Sequence, residues 1–195
     1  MRTKLIMLAV KYPGIQMLLL RRTMPQLREN HIVPMLSTLK GIAQYKSQEK
    51  VFEFYNGSRI VCGYCAAETD ALNYQGQSYD VIGMEEATQF TEQQMDWIVS
   101  SNRPSGPGYP TRMYYTCNPG GVGHAWVKRL FIDRDYRNSE RPEDYDFIPA
   151  KVYDNYVLMG RDPDYVRKLE NLPEDMRRAH LDGDWDLFVG QYFTE

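Results

Sequence analysis

Residues 79–90, YDVIGMEEATQF, place two adjacent carboxylates directly after a short apolar run. The run VIGM is typical of a buried strand, and Glu85 and Glu86 are the first acids to follow it. Parallel strands that are buried on both faces are near-continuous apolar runs, and open α/β sheets bind their ligands at the carboxyl ends of such strands. The stretch therefore predicts an α/β sheet with an acidic site at one edge.

Two interpretations of Glu85 and Glu86 follow from the residues alone. In phosphoryl transfer the first acid of such a pair helps to hold Mg²⁺, and the second orients or activates a water. Alternatively, the pair is the solvated first turn of the next helix, because helix amino termini favour acidic side chains.

The composition is that of an ordinary globular protein. The 195 residues are enough for one domain with a core, with 43% hydrophobic and 25% charged residues. A formal net charge of −3 gives no overall basic surface, so any contact with nucleic acid must be local or supplied by an assembly. No apolar run approaches the roughly 20 residues of a membrane span. The apolar stretch at residues 5–10 is too short for a secretory signal.

The three cysteines favour a reducing compartment. Cys62 and Cys65 form a CxxC pair, which suits a redox pair or half of a zinc site. The sequence has no second CxxC and no close histidine, so we favour the interpretation of two buried thiols.

Strand and helix patterns alternate along the chain. We predict strands at residues 16–22, 51–55, 59–64, 79–84, 112–116 and 147–152. We predict helices at residues 1–11, from Met24-Pro25, from the capping box at Thr91, at 124–132, from Asp162-Pro163 and at 173–180, with a short helix or turn at 66–75. Asn56-Gly57 predicts a hairpin. The fold class is therefore α/β, a mostly parallel sheet flanked by helices with one inserted hairpin.

Helical spacing also predicts which side chains face the core. The helix that begins at Met24 has as its inner face Leu27, Ile32, Met35, Leu36 and Leu39. The helix at 124–132 directs inward Trp126, Val127, Leu130 and Phe131.

A second candidate element is TCNPGG, residues 116–121. Thr116 and Asn118 end a strand just before a turn that glycine and proline favour. Polar side chains at such a strand end can sense a γ-phosphate and transmit its loss to a moving element. A simple turn, with Asn118 bonded to its own backbone, is the alternative.

Basic residues form a third set of candidates. Arg21-Arg22 ends a predicted strand and Arg28 follows one or two helical turns later, so these arginines could contact phosphates or DNA. Arg103 lies in a loop that we place near the site edge, and Arg103 and Arg22 are candidates for a charge-stabilising finger, in this subunit or a neighbour. A local basic cluster consists of Lys128, Arg129, Arg134 and Arg137. It could contact DNA or a neighbouring subunit, or it could simply be a solvated helix face.

Other polar groups give no site. Residues 182–186, DGDWD, resemble a calcium loop, but Leu187 stands where glycine is needed and Phe193 where glutamate is needed. A linker anchored by its tryptophan explains the segment better. The three histidines are scattered and suggest neither a triad nor a metal site: His31, His124 and His180.

Four segments in order resemble the large subunit of tailed-phage terminases, the motors that package viral DNA. They are YPGIQMLLLRRTMPQLRENHI, then FYNGSRIVCGYC with NYQGQSYDVIGMEEATQFTE, then TCNPGGVGHAWVKRLFI, and finally LPEDMRRAHLDGDWDLFVGQYF. The resemblance covers nearly the whole chain. It implies an ASCE-type P-loop fold that hydrolyses ATP with Mg²⁺.

The resemblance also implies partners and residue roles. The partners are double-stranded viral DNA, a portal protein, a small terminase subunit and other copies of the chain in a ring, with no membrane, in the cytoplasm of the bacterial host. By position, Glu85 takes the place of the Walker B aspartate at the Mg²⁺ and Glu86 that of the catalytic glutamate. Thr116 and Asn118 match the coupling motif.

The sequence departs from the family in three ways. Glu85 replaces the usual aspartate, no G-x-x-x-x-G-K-[ST] loop occurs in these residues, and the chain stops at 191–195, where a nuclease domain would begin. Residues 1–10 correspond to the helix that follows the phosphate loop. We therefore expect a terminase fragment, truncated at its N-terminal edge, with a partial ATPase domain at 1–180 and a linker at 181–195. We also expect negligible ATPase activity from the isolated chain.

Two alternatives to the motor remain open. The first is a non-catalytic remnant or interaction module that binds its assembly through the α/β surface. The second is another ASCE-type translocase or helicase, although TCNPGG followed by GHAWVK favours a terminase.

Overall fold

The structure, a computed structural model, describes residues 1–187. Residues 188–195, the end of the predicted linker, lie outside the described part. The chain divides into two compact units, Met1–Cys117 and the residues from Asn118 onward.

A six-stranded sheet forms the first unit. Its strands are β1 (Gln16–Arg21), β2 (Ala43–Lys46), β3 (Val51–Phe54), β4 (Arg59–Tyr64), β5 (Val81–Glu85) and β6 (Arg112–Thr116). They lie in the order β2-β3-β4-β1-β5-β6. The pairs β4–β1, β1–β5 and β5–β6 are parallel, whereas β2–β3 and β3–β4 are antiparallel. The predicted mostly parallel sheet is confirmed.

The predicted hairpin at Asn56-Gly57 joins β3 to β4, and Gly57 has a φ of +84°, the left-handed conformation that glycine adopts easily. Strand β2 extends this hairpin into a three-stranded antiparallel ribbon and was not predicted. Its residues AQYK alternate Ala43 and Tyr45, which pack against the core, with polar side chains, and none of the four is fully buried, so the continuous apolar run that marks β1 and β5 is missing.

Apolar side chains of β1 and β5 form the centre of the core. Leu18, Leu19 and Leu20 are fully buried in β1, and Val81 and Ile82 are fully buried in β5. Central parallel strands are covered on both faces, which explains why β1 is a nearly continuous apolar run. The helix α1 (Arg2–Lys11) packs Leu5 and Ala9 into the cluster that contains Leu19 and Val81.

The second helical segment is irregular. It comprises α2 (Met24–Leu27), a π-helical turn at Arg28–Ile32 and α3 (Val33–Thr38). Pro34 has no N–H to donate to the carbonyl of Asn30, and Nη1 of Arg2 donates to that carbonyl at 2.8 Å. Four of the five predicted inward side chains are buried, but Leu36 is 46% exposed, because it lies at the edge of the face that Leu27, Met35 and Leu39 bury.

The remaining helical segments of the first unit follow the capping signals. A 3₁₀ helix spans Glu68–Tyr74, and a second one spans Ala87–Gln89. The helix α4 (Glu92–Val99) begins with the predicted capping box, in which Thr91 and Gln94 bond each other's backbone N–H groups.

The second unit is helical within the described residues. It contains α5 (His124–Val127) continued by a π-helical segment at Lys128–Asp133, α6 (Tyr156–Arg161), α7 (Tyr165–Glu170) and α8 (Glu174–Arg177) continued at Arg178–Asp182, with 3₁₀ turns at Pro142–Asp144 and Val152–Asp154. Trp126, Val127 and Leu130 are buried as predicted, and Phe131 is half-buried. Trp185 is buried and stacks on His124, with ring centroids 5.3 Å apart.

The predicted strand at 147–152 is wrong. The segment is irregular, Ile148 is 83% exposed, and Pro149 interrupts the run where a strand needs a backbone donor. The helix expected from Asp162-Pro163 begins later, at Tyr165, with Asp164 as its cap, and α6 before it was not predicted. Across residues 1–187 no helix is both long enough and apolar enough to cross a membrane.

Candidate active site

The two glutamates lie at the carboxyl edge of the sheet, as the sequence predicts. Glu85 is the last residue of β5 and pairs with Thr116, the last residue of β6. On the other side of β5, Leu20 pairs with Met84, which brings Arg21 at the end of β1 beside Glu85. Three neighbouring parallel strands therefore end in an arginine, a glutamate and a threonine at one edge.

Glu85 is held between two basic side chains. Its Oε2 is hydrogen-bonded to Nε2 of the buried His31, and Nε of Arg21 lies 3.6 Å from the same oxygen. Burial of Glu85 would raise its pKa, but the hydrogen bond and charge of His31 and the charge of Arg21 lower the pKa overall below its ordinary value. The carboxyl group therefore stays ionised although its side chain is only 20% exposed.

Glu86 adopts a backbone conformation that is unusual for its residue type. Its φ and ψ are 55° and 56°, the left-handed region, at the junction between β5 and the 3₁₀ turn. Side chains other than glycine, asparagine and aspartate rarely occupy this region, and strained backbone of this kind concentrates at functional sites. The left-handed turn directs the chain away from the sheet directly after Glu85.

Both glutamates face a cavity of about 360 Å³. Its wall consists of Met1, Arg2, Thr3, Arg21, Asn30, His31, Glu85 and Glu86. The amino terminus of α1 forms one side, and the first N–H groups of a helix have no partner inside the helix and attract anions. The cavity therefore combines carboxylates with phosphate-binding groups, an arrangement suited to a metal-bound phosphate.

Neither of the two candidate finger arginines, Arg22 and Arg103, forms part of the cavity wall. Nη1 of Arg22 donates to Oε1 of Gln94 at 2.7 Å and to the carbonyl of Cys65 at 3.3 Å, so Arg22 ties β1 to the capping box of α4. Arg103 follows the bridge between Tyr79 and Asn102, at the amino end of β5. Its placement near the site edge was wrong, because that loop returns the chain to the start of β6 and hence to the opposite edge.

The two coupling-motif residues are separated by the boundary between the units. The hydroxyl oxygen of Thr116 is buried without a hydrogen-bond partner among the described residues, and it stands at the strand end beside Glu85. Asn118 is exposed and is the first residue of the second unit. Within that unit, Nδ1 of His124 accepts a hydrogen bond from the N–H of Gly120 at 3.0 Å and so fixes the glycine turn.

His31 is the site residue that the sequence interpretation missed. It lies four residues after Leu27 and four before Met35, so it continues their buried face through the π-helical turn. That spacing was the available signal, because i and i+4 side chains share a helix face. The hydrogen bond of His31 to Glu85, 54 positions along the chain, could not be predicted from local sequence patterns.

Lys128 and Arg129 of the basic cluster in the second unit are paired with acids. Nζ of Lys128 lies 2.7 Å from Asp133, and the guanidinium of Arg129 forms a two-pronged ion pair with Glu140, with N–O distances of 2.8 and 3.0 Å. Arg129 is also nearly buried. These two residues serve the local fold, which weakens the interpretation of the cluster as a DNA contact.

The CxxC pair consists of buried free thiols, as predicted. Burial raises the pKa of Cys62 to about 12 and that of Cys65 to about 11, so both remain protonated at neutral pH. Among residues 1–187 no group of three or more His, Cys, Asp or Glu side chains could hold a metal ion.

Residues 2–195 match the family described as terminase large subunit, T4likevirus-type, N-terminal. The chain belongs to the terminase large subunit family. The large terminase of a thermophilic bacteriophage, in complex with ADP, is similar in structure with a TM-score of 0.71 and 15% identity, over 94% of this chain and 43% of that chain. The ATPase domain of the Thermus phage P74-26 large terminase has a TM-score of 0.60 and 14% identity, over 94% of this chain and 82% of that domain.

These similarities confirm the ASCE P-loop-like fold of this terminase chain. The terminase of the thermophilic bacteriophage has also been solved with ATP-γ-S, so that relative binds adenine nucleotides. The present chain spans less than half the length of that relative. No curated protein is significantly similar in sequence.

Proposed function

We propose that this chain is the ATPase-motor portion of a phage terminase large subunit, which couples ATP hydrolysis to the translocation of double-stranded DNA into the capsid. One observation carries the proposal: the adjacent glutamates at the carboxyl edge of the sheet face the same cavity as the amino terminus of α1. Membership in the family supports it. The proposed ATPase portion covers residues 1–180, followed by a linker at 181–195.

Glu86 would orient or activate the attacking water. A general base must reach its water directly, and the left-handed turn keeps Glu86 on the wall of the cavity. Thr116 and Asn118 would sense the γ-phosphate, the first from the strand end beside Glu85. Arg103, at the opposite edge of the sheet, would act as a finger only toward a neighbouring copy.

The donor set at the cavity fits Mg²⁺ that arrives with its own ligands. Mg²⁺ in nucleotide sites is held by one or two carboxylates together with phosphates and water, and Glu85 supplies such a carboxylate. The bound ion would neutralise charge on the phosphates. Glu85 must then exchange part of its contact with His31 and Arg21 for the ion.

The proposed partners follow from the family. They are double-stranded viral DNA, a portal protein, a small terminase subunit and further copies of the chain in a ring, in the cytoplasm of the bacterial host. The most basic helix of the second unit contributes little free charge, since Lys128 and Arg129 are paired with acids. We therefore expect the principal DNA contact to lie elsewhere on the chain or on the assembly.

Calorimetric titration of the chain with Mg²⁺ and ATP-γ-S tests the nucleotide site. We expect saturable binding that Mg²⁺ strengthens, and no measurable turnover of ATP by the same sample. Glu86→Gln should still bind ATP-γ-S, since Glu86 is proposed to act on the attacking water and glutamine keeps the volume of the side chain. Absence of nucleotide binding would favour the interaction module, and robust hydrolysis abolished by Glu86→Gln would overturn the expected inactivity of the isolated chain.

A further inference from the structure

Arg21 is a buried cation with unused hydrogen-bonding capacity. It is 8% exposed, and its Nε and Nη1 atoms have no hydrogen-bond partner among the described residues. Arginine stays charged inside proteins, so a buried guanidinium needs acceptors for its N–H groups. The carboxylate of Glu85 at 3.6 Å supplies charge compensation without forming that hydrogen bond.

The contact with His31 explains why Glu85 does not close on Arg21. Oε2 of Glu85 is the oxygen that His31 bonds, and it is also the oxygen nearest to Nε of Arg21. His31 is 3% exposed and fixed in the π-helical turn, so the carboxylate is held toward the helix. Arg21 forms part of the wall of the cavity, and its unbonded Nε and Nη1 atoms are buried just behind that wall.

The chemistry that satisfies this fork is a phosphate. Guanidinium groups bind phosphate oxygens through two parallel N–H bonds, more strongly than they bind neutral acceptors. Two carboxylates share the cavity with Arg21, and they would repel a bare anion. A phosphate that carries a divalent cation would remove this repulsion, because the glutamates would hold the cation and the arginine would hold the free phosphate oxygens.

We infer that Arg21 is a phosphate-binding residue of this site, contributed by the end of β1, and that Glu85 is its counter-ion until a Mg²⁺-bound polyphosphate arrives. This inference rests on the proposed nucleotide function. It assigns the anion contact to a strand-end arginine, whereas Arg22, the next residue, is occupied by Gln94 and the carbonyl of Cys65.

Binding of Mg²⁺-tripolyphosphate and of Mg²⁺-ADP to the 195-residue chain tests the inference. Arg21→Gln should weaken both ligands by about tenfold or more, and Arg21→Lys should weaken them less, because lysine keeps the charge but loses the fork. Arg112→Gln is the matched control: Arg112 is exposed, begins β6 at the opposite edge of the sheet and donates to the neighbouring carbonyl of Thr111. It should bind as the parent does.

The outcomes separate the inference from the function on which it rests. If ADP and tripolyphosphate bind the parent and Arg21→Gln equally well, Arg21 is not a phosphate ligand although the nucleotide site stands. If neither ligand binds the parent chain, both the site and the role of Arg21 are wrong.

A measurement on the parent protein covers the case in which Arg21→Gln fails to fold. The side-chain Nε–H resonance of Arg21, identified by its loss in Arg21→Lys or by through-bond assignment, should shift downfield as Mg²⁺-tripolyphosphate is added, because an unbonded donor gains an acceptor. An Nε–H resonance that stays in place at saturating tripolyphosphate would overturn the inference.

Discussion

The two ends of β5 carry buried carboxylates with opposite surroundings. At the amino end, Asp80 is fully buried and accepts hydrogen bonds from the backbone N–H of Gln16, the backbone N–H of Ser105 and the hydroxyl of Ser105, at 2.6 to 2.8 Å. At the carboxyl end, Glu85 meets two basic side chains at the wall of a cavity, and each of them has buried nitrogen atoms without a hydrogen-bond partner among the described residues. The two ends of β5 therefore differ in whether the buried polar groups around them have hydrogen-bond partners.

This difference separates a structural carboxylate from a functional one. Asp80 uses its acceptor capacity on neutral donors from β1 and the loop before β6, so it closes the fold at that end. At the carboxyl end, buried N–H groups have no acceptor among the described residues, and Glu86 has a strained backbone conformation. Both features lower the stability of the fold, and such features are retained at sites that bind a ligand. We therefore expect substitutions at the amino end to change folding, and substitution of Arg21 beside the carboxyl end to change binding.

The largest expected effect is at Asp80. Asp80→Ala removes three hydrogen bonds to a fully buried carboxylate and leaves the backbone N–H groups of Gln16 and Ser105 without that acceptor, so it should lower the free energy of unfolding by about 3–5 kcal/mol. Urea unfolding measures the loss. Ser105→Ala, which removes only the hydroxyl donor, should cost about 1 kcal/mol. A loss for Asp80→Ala no larger than that for Ser105→Ala would mean that the two ends are not distinct.

A smaller loss of stability is expected at Ser58, which directly precedes β4 at the same amino edge of the sheet. Its buried hydroxyl donates toward the carbonyls of Ala9 and Tyr12 and accepts from the N–H of Gly14, so it ties α1 and the following turn to β4. Ser58→Ala should cost about 1–2 kcal/mol in urea unfolding while the affinity for nucleotide stays unchanged. A weakened affinity at normal stability would contradict the division between the ends.

At the carboxyl end of β5, the change in stability should have the opposite sign. Glu86→Gly places glycine at a left-handed φ of 55° and relieves strain, so stability should stay constant or rise by up to about 1 kcal/mol. Lys50→Gly, at a φ of 56° away from the cavity, should behave in the same way. Ala87→Gly, at the neighbouring position without a positive φ, should lose about 0.5–1 kcal/mol. Destabilisation by Glu86→Gly would show that the conformation stores no strain.

The smallest expected effect is a change in the reactivity of Cys117, just beyond β6. Burial and, after it, the negative charge of Glu86 raise the pKa of this thiol to about 12. The thiolate is the reactive form, so alkylation in alkaline buffer should be slow in the parent and severalfold faster in Glu86→Gln, since the raising charge is gone. Cys62, whose pKa is raised by burial alone, is the internal control and should react at the same slow rate in both proteins. Equal Cys117 rates would place the charge of Glu86 away from the strand end.

Local patterns predicted most of the first unit. The apolar runs of β1 and β5, the Asn56-Gly57 hairpin and the Thr91 capping box each depend on neighbouring residues, and each was confirmed. Strand β2 was not predicted, because it forms by pairing with β3 and that pairing is tertiary structure. The strand predicted at 147–152 is absent, because Pro149 has no N–H to donate to a neighbouring strand.

The candidate site was predictable only in part. The position of Glu85 and Glu86 followed from the strand that precedes them. The contacts of Glu85 with Arg21 and His31 join residues 64 and 54 positions apart, so no spacing in the sequence indicates them. Arg103 was misplaced for the same reason, since the course of a loop determines the edge of the sheet on which its residues lie.

A titration of the ¹⁵N-labelled chain with Mg²⁺-ATP-γ-S, followed on the backbone amide resonances, tests the central claim most directly. We predict shifts concentrated at the carboxyl edge, at Thr3, Arg21, Glu85 and Glu86, while Gln16, Asp80 and Ser105 at the amino edge keep their resonances. Shifts centred on the Asp80 end, or none at saturating nucleotide, would contradict it.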